Sequence, residues 1–139
     1  MEQNAPFPAS ELAATFDALG VEFLTGILEV EVSRHPENLA ALCELGHLYT
    51  RSKAYEKGLA VDRELVRLRP DDATSHYNLA CSLALIGESL AALDALERAV
   101  ELGYDDAEHL LADEDLATLR GTRRFRAVLS ALDPSKWAS

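Results

Sequence analysis

The feature that most constrains this chain is a turn signal that returns every 34 residues. Pro36-Glu37-Asn38, Pro70-Asp71-Asp72 and Tyr104-Asp105-Asp106 are spaced by that step. The same step relates Leu45 to Leu79, Gly46 to Ala80, Gly58 to Ala92, Leu59 to Leu93, Val66 to Val100 and Leu68 to Leu102. These are the apolar and small positions of two successive helical stripes. A fixed period of this length marks stacked supersecondary units, none of which can bury its apolar face alone.

Each unit divides into two helices. Asn38 and Asp72 are good N-cap residues, because their side chains accept orphan amide protons of a first turn. After Asn38, Leu39, Leu42, Leu45 and Tyr49 fall on one helical face, beside the small Gly46. Arg51-Ser52-Lys53 breaks the pattern. A second helix carries Tyr55, Leu59, Leu65, Val66 and Leu68 and stops at Pro70, which cannot continue a helix. The next unit repeats this, with Tyr77, Leu79, Ala80, Leu83 and Ile86 before the turn at Gly87 and Leu90 to Leu102 after it. Glycine inside a helix costs about 1 kcal/mol relative to alanine, so Gly46 and Gly58 need a compensating close helix–helix approach.

Residues 39–72 and 73–106 resemble tetratricopeptide repeats. That family is a helix–turn–helix of 34 residues, and the first unit matches its pattern with Leu45, Gly46, Tyr49 and Pro70. It departs at Gly58, at Asp62 (where the family has an aromatic) and at Leu65. The second unit matches with Leu79, Ala80, Ala92, Leu96 and Ala99, and departs at His76, Leu83 and Tyr104. Downstream the register fails, because Asp113 and Glu114 fall where apolar and small residues are needed. Shorter stripes follow instead, at Leu110-Leu111, Leu116, Leu119, Phe125, Val128 and Leu129.

The resemblance implies an all-α fold, a short right-handed α-α solenoid forming one domain over 1–139. Residues 10–38 read as a degenerate or capping pair, with helices at 10–18 and 20–35, and residues 107–132 as closing helices. Residues 1–9 and 133–139, the latter with Trp137, read as loose tails.

Charge narrows the function. The chain has 24 acidic and 13 basic residues and a formal charge of −11. That balance argues against DNA, RNA and anionic lipid as partners. Its ordinary meaning is solubility, and its functional meaning is a groove that selects a basic partner. No signal peptide and no apolar stretch long enough to span a membrane is visible, and two cysteines make no disulfide framework, so a cytoplasmic protein is expected.

Little in the sequence reads as chemistry. No phosphate loop, nucleophile elbow or zinc-protease motif is present, so no catalytic residue and no cofactor is expected. Asp71-Asp72 and Asp105-Asp106 sit at helix starts, where carboxylates offset the helix dipole. Cys43, His47 and Cys81 share a face in the repeat register, but small, partly buried cysteines explain them better than a metal does. His35 and His109 read as surface or capping histidines. Seven acidic residues from Glu101 to Asp115 precede Arg120, Arg123, Arg124 and Arg126. The two runs either pair across the closing helices or leave a patch for a small anion or acidic peptide.

By the resemblance, first helices line a concave groove. The residues expected there are Cys43, His47, Thr50 and Arg51 from one unit, and Thr74, Tyr77, Asn78, Cys81 and Leu85 from the next. This mixed, weakly polar lining suits an extended peptide or a helix. Asn78 matches a carboxylate clamp known in the family, but its lysines and arginine have no counterparts here, so no such clamp is expected. The expected role is a protein-binding adaptor or scaffold. The alternatives are a small chaperone holding a partner segment, or a self-associating structural protein that forms a homodimer through Phe16, Leu19, Phe23 and Ile27.

Overall fold

The computed structural model describes residues 9–137, and the side chains of residue 14 and of residues 17–137. Eight α-helices and one 3-10 segment are present among them, with no strand. The helices are α1 (Ala9–Arg34), α2 (Leu39–Arg51), α3 (Tyr55–Leu68), α4 (Ala73–Leu85), α5 (Ser89–Glu101), α6 (Ala107–Ala112), α7 (Arg123–Leu132) and α8 (Pro134–Trp137). The 3-10 segment, Glu114–Leu119, joins α6 to α7.

The turn signal acts through its last residue. Asn38 accepts from the Ala41 amide, Asp72 from the Ser75 amide and Asp106 from the His109 amide, so three equivalent caps start α2, α4 and α6. Within each repeat the chain reverses at a left-handed residue. This is Lys53 (φ 61°) in the first and Gly87 (φ 87°) in the second. Gly87 is suited to it, whereas Lys53 carries a Cβ into a region that L-residues rarely adopt.

Packing runs mainly between sequence neighbours: α1 on α2, α2 on α3, α3 on α4 and α4 on α5. This is the nearest-neighbour stacking of a solenoid. Leu42, Leu45, Tyr49, Val61 and Leu65 form one core, against which Leu28 and Val32 of α1 pack. A larger core spans α4, α5 and the closing segment, where Leu110, Leu116, Leu119 and Phe125 are fully buried.

Three expectations change. The N-terminal pair is a single continuous helix, because nothing in Ala9–Arg34 stops one: there is no proline, and Gly20 lies on an open face with no atom within 4 Å of an added Cβ. The stretch 133–139 is not a loose tail as far as Trp137. Residues Pro134–Trp137 form α8, Ser130 Oγ donates to the Trp137 carbonyl at 2.6 Å, and the indole packs on the larger core. The arginine run pairs differently. Arg120 reaches Glu114 at 3.5 Å, but Arg124 turns back to Asp94 (2.6 Å) and Glu97 (2.7 Å) on α5.

Glycine packing is subtler than expected. A Cβ on Gly46 would meet Val61 Cγ1 at 3.4 Å and Asp62 Oδ1 at 3.5 Å, and one on Gly58 would meet Tyr49 Cβ at 3.7 Å. The helices approach closely, yet a methyl group fits at both positions. No helix among the described residues is long and apolar enough to cross a membrane.

Candidate functional site

The repeat geometry turns α2 and α4 toward a common concavity. Eight of the nine expected groove residues line one cavity of about 310 Å³: Cys43, His47, Thr50, Arg51, Tyr77, Asn78, Cys81 and Leu85. Thr74 is exposed in the first turn of α4 and lies outside it.

The lining residues differ in availability. Cys43, His47 and Arg51 are exposed along α2. Arg51 reaches Asp17 of α1 at 3.3 Å, an exposed contact of little energetic weight. The Thr50 hydroxyl donates to the Gly46 carbonyl and is committed to its own helix. Tyr77 and Cys81 are buried, so they build the wall and leave the exposed residues to meet a ligand. The Tyr77 ring stacks on Tyr104 with centroids 4.4 Å apart and planes 9° from parallel, and its hydroxyl donates to Asp113 Oδ2 at 2.6 Å.

Among the other lining residues, four titratable ones were not expected at this site: Asp62, His109, Asp113 and Asp115. Asp62 comes from α3 and is buried in the joint between repeats, where it accepts from the Ser82 hydroxyl of α4. Burial pushes its carboxyl up to about 6, against the opposing pull of Ser82 and of nearby His47. Asp113 and Asp115 come from the closing segment and line the same cavity. Asp113 Oδ2 accepts from Tyr77 and, at 3.7 Å, from the Cys81 thiol, and Asp113 Oδ1 accepts from the Asp115 amide. Burial, and then the Asp113 charge, raise the Asp115 carboxyl. His109 tilts against Tyr77 with centroids 5.7 Å apart, and its Nε2 lies 3.7 Å from Asp113.

The signal for two of these was present as a defect in the repeat. Asp62 stands where the family has an aromatic, and Asp113 where a third unit would have an apolar residue. A carboxylate at a core position is costly unless it is hydrogen-bonded, and each has found a hydroxyl donor.

Cys81, Asp113 and Asp115 hold their ligand atoms within 4.8 Å of one another, the set here that could meet on a cation. Cys43 and His47 are not in that group. Hydrogen bonds already satisfy Asp113, and burial, then the two neighbouring aspartates, push the Cys81 thiol up. Burial chiefly raises Cys43 as well, so both sulfurs favour the protonated, weakly nucleophilic form.

No protein-family model matches the sequence. A crystal structure of MamA, a protein of tetratricopeptide-repeat type, superposes with a TM-score of 0.68 over 94% of this chain and 77% of that one, at 18% identity. A second MamA structure gives 0.67 over 88% of this chain and 69% of that one, also at 18% identity. The chain has the tetratricopeptide-repeat fold. It is also 30% identical over 93 residues to a chloroplastic protein of Arabidopsis thaliana, a match that covers 65% of this chain and 28% of that protein. The chain therefore matches little more than a quarter of that relative's length. The cavity is lined mainly by α2 and α4, and the 3-10 segment packs against α4.

Proposed function

We propose that this chain is a protein-interaction module that takes an extended segment or helix of another protein into the concave groove, and that the segment brings a lysine or arginine to the groove's acidic end. The observation that carries this is the convergence of Asp62, Asp113 and Asp115 on the cavity lined by the exposed residues of α2. Fold alone does not specify a partner, but a carboxylate-floored concavity in an acidic protein favours a cationic one through complementarity and steering. Peptide-display selection against the purified chain tests the reading. Selected peptides are expected to be enriched in Lys and Arg, and to lose binding to Asp115→Lys and to His47→Arg. Enrichment of neutral or acidic peptides, or binding indifferent to both substitutions, would remove the groove assignment.

A second reading rests on α1. Leu19, Phe23, Leu24, Ile27 and Val30 are each at least half exposed, an unusual density of large apolar side chains on one helix. Phe16 lies outside the described side chains. This face supports self-association into a homodimer, in which two copies of α1 pair. Light scattering across a concentration series separates the readings: a concentration-independent monomer that still binds its peptides leaves the groove alone.

A further inference from the structure

Several cations of this acidic chain are paired. Arg51, Arg67, Arg98, Arg124 and Lys136 each face a carboxylate. Arg123 and Arg126 form no ion pair among the described residues, although both are on α7 beside the well-paired Arg124. Together with Arg120 they line a second cavity, of about 550 Å³, whose walls include Leu111, Leu129 and Trp137. This cavity lies away from the concave groove and shares no lining residue with it.

Two buried donors belong to residues of that lining. Arg120 spends Nη2 on the Asp113 carbonyl (2.9 Å) and on Glu114, which leaves its Nε–H buried without an acceptor. The indole N–H of Trp137 is likewise buried without a partner, while Ser130 holds that residue's carbonyl in place. Buried donors are normally satisfied, and each one left open costs desolvation energy. Two such donors, two guanidinium groups with no ion pair among the described residues, and apolar walls occur around one cavity. Its volume is in the range of small-molecule pockets.

We infer that this cavity binds a small amphiphilic carboxylate, with Arg123 and Arg126 gripping the head group and the apolar body lying against Leu111, Leu129 and Trp137. Guanidinium and carboxylate match as bidentate partners, which favours this head group over a neutral one. The rest of the molecule repels anions, so any anion preference must be local to these arginines.

Trp137 is the chain's only tryptophan, so intrinsic fluorescence reports on the cavity wall. Decanoate, kept below its micelle concentration, is titrated into the full chain, with 1-decanol and acetate as controls. Decanoate is expected to give a saturable change in emission. Decanol is expected to bind at least about tenfold more weakly, and acetate to have no effect at the same concentration, because neither supplies both the charge and the body. The double variant R123Q/R126Q removes two exposed side chains, so its thermal melt is expected to match wild type while decanoate affinity falls by on the order of tenfold or more. Equal binding of decanol and decanoate, an acetate response of the same size, wild-type affinity in the folded double variant, or no saturable response would each overturn the inference.

Discussion

The Tyr77 hydroxyl donates to Asp113 Oδ2 at 2.6 Å across 36 residues of sequence, tying a repeat helix to the closing segment. The acceptor is a mostly buried carboxylate, so losing this bond leaves a charge short of one donor. Tyr77→Phe is expected to destabilise the fold by about 1–3 kcal/mol. Asp113→Ala is expected to cost less when Tyr77 is already Phe than when it is not, since the two share one interaction. Urea midpoints at an unchanged m-value provide the four corners of the cycle.

Asp62 makes stability pH-dependent in a defined direction. Its folded carboxyl titrates near 6, above the unfolded value of 3.8, so the folded state holds the proton more tightly. The neutral form's contribution is fully present below about pH 4 and is lost as the pH rises through about 6, a change on the order of 2–3 kcal/mol. Asp62→Asn keeps an acceptor for Ser82 and removes the titration. The difference between wild type and variant, measured by denaturant melts from pH 4 to pH 7, should grow in the variant's favour as pH rises. A flat difference would show that Asp62 titrates normally.

The two helix glycines should both tolerate alanine, Gly58 with a gain, whereas a larger side chain at Gly46 should not be tolerated. Gly58→Ala meets only ordinary contact at 3.7 Å and gains helix propensity, so stability is expected to rise by about 0.5–1 kcal/mol. Gly46→Ala, at 3.4 Å from Val61, is expected to be close to neutral. Gly46→Leu has to displace Val61 and Asp62 and is expected to cost ~1–3 kcal/mol or more by overpacking. Thermal melts of the three variants check the order.

The cysteines provide an inexpensive check on the wall of the groove. Cys43 is exposed and Cys81 is buried. A thiol reagent should modify one cysteine rapidly in the native protein and both in denaturant. Cys43 is expected to react more slowly than free cysteine near pH 8, because its raised pKa lowers the thiolate fraction. Two fast thiols under native conditions would mean that the wall of the groove opens.

The repeat was legible because caps and turns are local. Asn38, Asp72 and Asp106 each need only an amide three residues on, so a 34-residue step in sequence becomes a 34-residue step in structure. Cys43, His47, Tyr77 and Cys81 share one cavity, and they stand at the helix positions that the family resemblance implies for a groove. Asp113, Asp115 and His109 were not legible, because their place depends on how the closing segment folds back over α4, a tertiary fact with no period. The repeat register divides 10–38 into a helix pair, whereas α1 runs through as one helix across Gly20. An exposed glycine weakens a helix by about 1 kcal/mol but does not end one.

The two ends of the stack are finished differently. Phe125, Leu116 and Leu119 are fully buried at one end, while α1 packs mainly on α2 and keeps Phe23 69% exposed. Amide exchange should therefore be graded along the molecule, fastest in α1 and slowest in α4 and α5, since each element opens at a cost set by its neighbours. Thermal fraying would then begin at the N-terminal helix, leaving the acidic groove intact until the repeats themselves melt.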